Sequence, residues 1–310
     1  MKANLDSIVR RLWQNKMLVS FIVVWAITFL FLLITDNRDL IYDSELYFGL
    51  SQSFTLDGDF SFRYFPETYR GYFYPFCLLV FRAAALGLFG DHFLGVWIFA
   101  ALLLAITSCV LLPKLLELLT GRVNQPLACY FAPAALILFF WRGSVIYPDS
   151  DLPALCFMLA ATVCLYAAGT RADTRPAPTT RRPSPTVNGD SATTSVVGAV
   201  GNRPTKANIK TALLYFLAGF FAYGAYNTRT IYLFSALGLV LIYVYLCYKR
   251  TSKSSSPLKS KPAILDVILL LLIIAAGVAV AAAPQLYINM HTQGLPSIAV
   301  VTTSFAEDTN

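Results

Sequence analysis

"GYFYPFCLLVFRAAALGLFG", residues 71–90, is long and apolar enough to pass for a membrane span. Crossing the hydrocarbon core takes about 17–25 largely apolar residues, and this stretch has that length. Two features set it apart from the other apolar runs of the chain. Arg82 interrupts it, and aromatic rings crowd its start, with nine of the seventeen residues from 60 to 76 being Phe or Tyr. Whether it crosses decides which way every later loop faces.

Seven other stretches are uncharged and of spanning length: 17–35, 92–113, 123–141, 152–170, 211–228, 230–248 and 267–290. Lys and Arg gather on the cytoplasmic side of a membrane protein. If 71–90 does not cross, segments 1–16, 114–122, 171–210 and 249–261 share one side and carry 18 of the 24 Lys and Arg. The other side then holds only Arg38, Arg63, Arg70, Arg82, Arg142 and Arg229, together with 12 of the 17 acidic residues. If 71–90 does cross, the basic segments 171–210 and 249–261 are forced outside, against the bias. The charges therefore predict an all-α polytopic chain of seven spans. Its N-terminus is cytoplasmic, its C-terminus is outside, and 71–90 lies along the outer interface within a 36–91 outer loop, where aromatic side chains are at home.

Composition agrees. The chain is 57% hydrophobic and 13% charged, against about 25% charged in soluble domains. The net charge of +7 is accounted for by membrane orientation, so no nucleic-acid partner is expected. Arg10, Arg11 and Lys16 precede an apolar run too long for a typical signal peptide, which reads as an uncleaved first span. Segment 171–210, rich in Pro, Thr, Arg and Gly, reads as a disordered cytoplasmic loop. Six cysteines occur without a CxxC spacing, five of them inside expected spans, and read as small apolar fillers. His92 and His291 are the only histidines, which argues against a His-based metal site. No Walker loop, G-x-S-x-G or H-E-x-x-H is present.

The outer face collects the residues with chemistry. "LIYDSELYFGLSQSF", 40–54, starts a short helix at Asp43 with Tyr47, Leu50 and Phe54 on one side. "WRGSVIYPDSDLPALCF", 141–157, carries Asp149 and Asp151; "GAYNTRTIYLF" carries Arg229; "YRGYFYPF" carries Arg70. Each has an ordinary explanation. Asp43, Asp149 and Asp151 suit helix caps, Glu45 suits a first helical turn, Arg229 can snorkel, and Arg70 can meet lipid phosphate. Two acidic clusters at span ends facing one compartment exceed what capping requires, and an Arg on the side that repels basic residues calls for a function.

In these residues the chain resembles the GT-C glycosyltransferases, and more narrowly the protein O-mannosyltransferase and aminoarabinose-transferase branch. The likeness is an order of features over 15–297: Asp43-x-x-x-Tyr47, then "RGYFYPF" in a juxtamembrane helix ending "LFGDHF", then "YPDSDLPALCFMLA", then "NTRTIYL", then Pro284, Asn289, Gly294 and Pro296. The resemblance implies a GT-C-like fold with about seven spans and juxtamembrane helices in the first outer loop. It implies a polyprenyl-phosphate sugar as donor, a protein, lipid or glycan as acceptor, surrounding membrane lipids, and a bacterial inner membrane as the setting. It makes Asp43 the catalytic base and Asp151, or Asp149, the second acid that positions acceptor or metal. The place of the family's second first-loop acid is taken by Ser44, with Glu45 one step on. No cofactor is assigned, and a divalent cation is compatible with the pattern.

The chemistry asks for little. A lipid phosphate is its own leaving group and needs positive charge rather than a strong acid, which Arg229 or Arg70 can supply. A carboxylate suffices as base for the acceptor hydroxyl, and in-line attack inverts the anomeric centre. Two other readings stay open: a noncatalytic scaffold or lipid-binding subunit on the same fold, and a lipid flippase or transporter. Against the last, charges avoid the interiors of the expected spans, where transporters place them.

Overall fold

A computed structural model describes residues 15–41, 43–56, 58–66, 70–123, 125–147, 149–173, 209–252, 260–294 and 296–300. Within these, regular structure is entirely helical, and the chain is an all-α integral membrane protein. The helices are α1 (Lys16–Thr35), α2 (Asp43–Ser53), α3 (Phe73–Phe89), α4 (His92–Thr120), α5 (Ala128–Phe140), α6 (Gly143–Ile146), α7 (Asp151–Asp173), α8 (Ile209–Thr228), α9 (Tyr232–Ser252) and α10 (Ser260–Thr292). The loop expected at 171–210 lies, apart from its ends, outside the described residues.

Five helical stretches are long and apolar enough to cross a bilayer: Lys16–Thr35, His92–Thr120, Asp151–Gly169, Ile209–Thr228 and Val267–Thr292. They coincide with five of the seven expected spans. The other two, 123–141 and 230–248, give the shorter apolar helices Ala128–Phe140 and Tyr232–Tyr245. At 1.5 Å per residue, the 13 residues of α5 cover only about 20 Å of a core some 30 Å thick.

Local chemistry sets the helix ends. Asn15 caps α1 through Leu18 N at 3.2 Å. α3 stops at Gly90, whose φ of 72° suits glycine. Asp91 then caps α4 by accepting from Phe93 N at 2.9 Å. Midway along α4 the turn widens to a π-helix over Thr107–Leu111. Pro113 follows two residues later; its ring lacks an N–H and would crowd a regular turn, and the wider turn relieves this. α8 and α10 cross closely, with Gly219 against the Ile274 carbonyl and Gly277 against the Phe216 carbonyl.

Polar contacts show which helix ends lie together. Arg38, just past α1, reaches Asp91 at the start of α4 at 2.9 Å. Phe73 N, at the start of α3, donates to Asn227 at the end of α8 at 2.8 Å. Asn227 in turn bonds Gln285 near the end of α10 at 2.8 Å, and Arg229 pairs with Asp151 at the start of α7. The start of α3 therefore meets the ends of α8 and α10, and the residue just past its end meets the end of α1. Arg82, in the middle of α3, is buried and donates to Ser51 Oγ and Phe48 O on α2 while lying 3.9 Å above the Phe48 ring.

Candidate functional site

α2 enters through a turn closed by Ser44. Its hydroxyl accepts from Ile41 N at 2.8 Å, and its N–H donates to Ile41 O at 3.1 Å. Ser44 thus ties the entry turn back to Ile41. The Asp43 carboxylate instead receives Arg70 Nη2 at 3.1 Å. Arg70 comes from the lead-in to α3, and its position depends on Gly71. A side chain at residue 71 would overlap the Asn227 carbonyl and side chain, so only glycine lets the strand pass.

Tyr47, one turn after Asp43, is 1% exposed. The charges of Arg70, Asp43 and Arg229 and the nearby Ser150 all act on its hydroxyl. Burial, the largest influence, raises its pKa, while Ser150 and the two guanidinium groups pull the other way. The Arg70 guanidinium lies 5.8 Å from the Tyr47 ring. The second pair is Arg229 with Asp151. Arg229 continues the last turn of α8 through its N–H to Ala225 O at 2.9 Å, which holds it opposite the start of α7. The Asp43–Arg70 pair thus lies beside the buried Tyr47, and the Asp151–Arg229 pair stands at the same end of the bundle, joined to it through the Gly71–Asn227 contact.

Asp149 fits its ordinary reading. It accepts from Asp151 N at 3.0 Å and Ser144 Oγ at 3.0 Å, capping α7. Burial raises its pKa; Ser144, Arg229 and the Leu152 N–H lower it, and the Asp43 charge raises it. A folded-state pKa above the unfolded value adds stability that is complete at low pH and fades as pH rises through the raised value. Asp149→Asn should remove that slope. Melting curves of both forms in detergent, from about pH 4 upward, should converge on the acid side and separate as pH rises; curves that stay parallel would show that Asp149 is not its source.

Glu45 stands apart from both pairs. It is exposed and lines an open hollow of about 510 Å³ with Leu46, Gly49, Leu50, Ser53 and Pro66. Four of the six site residues expected from sequence, Asp43, Arg70, Asp151 and Arg229, form the two pairs; Asp149 sits beside them, and Glu45 does not join. No group of three or more His, Cys, Asp or Glu among the described residues is placed to hold a metal ion. Asp43 and Asp151 are each matched by an arginine.

Sequence reading missed Asn227, Gln285 and Ser150. The signal for the first two was present: an amide in an apolar span is costly unless paired, and both are buried. Comparison of the chain with protein-family models, curated proteins and solved structures finds no match in any of the three.

Proposed function

We propose that this chain is a membrane glycosyltransferase of GT-C-like, seven-span architecture. It moves a sugar from a polyprenyl-phosphate donor to an acceptor hydroxyl at the non-cytoplasmic face, with inversion. The observation that carries this reading is the pairing of Asp43 with Arg70 and of Asp151 with Arg229 at one bundle end. Connectivity supports seven crossings. α4 leaves that end and α7 begins at it; α8 finishes there and α10 returns to it. On this reading the segments holding α5 and α9 each run from end to end.

In the proposed reaction the acceptor oxygen attacks the anomeric carbon from the face opposite the phosphate. The bond from that carbon to the phosphate oxygen breaks, and its electron pair stays on the lipid phosphate. The acceptor proton passes to the Asp43 carboxylate. Arg229 is half exposed; a guanidinium has five N–H donors, more than the Asp151 carboxylate takes up, so it keeps donors for the leaving phosphate. Arg70 orients Asp43.

The test is turnover by the full chain in liposomes loaded with undecaprenyl-phosphate sugars, read as release of undecaprenyl phosphate. Release that needs an acceptor supports the proposal. Binding of the lipid phosphate without release supports instead a noncatalytic subunit, a reading favoured by the fact that both arginines already rest on carboxylates. Neither binding nor release sinks both. Glu45→Gln should keep turnover within about twofold, as for an exposed charge outside the site; a larger loss would place Glu45 in the chemistry.

A further inference from the structure

Three buried amides form a relay. Phe73 N donates to Asn227 Oδ1 at 2.8 Å, and Asn227 Nδ2 donates to Gln285 Oε1 at 2.8 Å. Gln285 Nε2 donates to Asn289 Oδ1 at 2.9 Å. Asn289 Nδ2 donates to the Ser297 and Ala299 carbonyls at 2.8 and 2.9 Å. Asn227 is 1% exposed, and Gln285 and Asn289 are fully buried. One end of the relay is a backbone N–H, which can only donate, and the other is a pair of carbonyls, which can only accept. Every amide between them is therefore fixed in one orientation, and flipping any one sets oxygen against oxygen or nitrogen against nitrogen.

The relay passes between the two arginines. Arg70 precedes Gly71, whose backbone lies against Asn227. Arg229 follows Asn227 by two residues on the same chain. One side chain thus ties together the backbones that deliver both guanidinium groups. We infer that Asn227, oriented by Gln285 and Asn289, is a positioning residue that sets the spacing of Arg70 and Arg229 for one lipid phosphate. This rests on the donor class proposed above. It adds that both arginines serve the same phosphate, and that the seating of residues 296–300 reaches that phosphate through three amides.

Asn227→Asp is nearly isosteric and still accepts from Phe73 N, but sets a carboxylate oxygen against Gln285 Oε1. Gln285→Met leaves the Phe73 bond and removes what orients Asn227. Gly71→Ala pushes the strand off Asn227. The full chain in nanodiscs is titrated with undecaprenyl phosphate, and turnover is measured on the same samples. Each variant that folds should bind lipid phosphate about tenfold more weakly. Donor KM should rise with it, and kcat should change less. The Asn227→Asp and Gly71→Ala effects should fail to add, because both act on one contact. A residue that only holds the fold would lower the yield of folded protein and leave the affinity of that fraction unchanged. Gln285→Met is decisive if Asn227→Asp does not fold. Wild-type affinity in folded variants, or additive effects, overturns the inference. Wild-type protein that binds lipid phosphate without turnover sinks the catalytic reading alone, and the relay is then judged on binding; wild-type protein that binds none overturns both.

Discussion

Asp43→Asn is expected to abolish sugar transfer, lowering turnover by about a thousandfold or more, while membrane insertion and melting temperature stay near wild type. The substitution keeps the shape and removes the proton acceptor, and general-base contributions are about 10²–10⁴-fold. Stability should barely register the change. The Asp43 and Arg70 side chains are 46% and 34% exposed, and pairs so open to solvent contribute about 0–1 kcal/mol. The entry turn does not depend on Asp43 either, since Ser44 ties it to Ile41. That separation gives the experiment its power. Helix capping, the competing explanation of Asp43, predicts that Asp43→Asn spares activity as well as stability, since asparagine caps as well as aspartate. Release of undecaprenyl phosphate by Asp43→Asn at more than a tenth of the wild-type rate would remove Asp43 from the role of base.

The second large effect concerns the frame. Gly219→Leu should prevent α8 from seating on α10. A side chain at 219 would overlap the Ile274 carbonyl, and one at Gly277 would overlap the Phe216 carbonyl. Backbone cannot swing aside as a side-chain tip can, so the helices must part. Overpacking commonly costs about 1–3 kcal/mol, and this crossing belongs at or above the upper end. Close approach through small residues is also how helices associate in lipid, where burial of apolar surface gives little drive. The readout is the yield of monodisperse protein and its melting temperature in detergent. Gly238, which has open space around it, is the control; Gly238→Ala should be tolerated. A normal melting curve for Gly219→Leu would show that the crossing is looser than described. Because Asn227 and Gln285 lie on these same two helices, parting them should also weaken lipid-phosphate binding.

Much of the frame was legible in local pattern. Span-length apolar runs need only composition and length, and they anticipated the five long helices. The spacing of Tyr47, Leu50 and Phe54 anticipated α2 and its buried face, because 3.6 residues per turn is a local property. Charge asymmetry predicts that 71–90 starts and ends at one side; in the structure this segment is one of the shorter apolar helices, below the length of the five candidate spans. The shortness of α5 was not legible, since an uncharged run does not say where a helix begins.

The sequence by itself determined the class of the protein, its run of apolar helices, and the set of charged residues at one end of them. Only the tertiary structure decided the pairings: Asp43 with Arg70, Asp151 with Arg229, Asn227 with Gln285, and Glu45 with none of these. The reason is separation. Helical periodicity and capping act over a few residues, whereas the Asp43–Arg70 contact spans 27 positions and the Phe73–Asn227 contact 154. Which charge meets which then depends on how the helix ends pack, and no local pattern carries that.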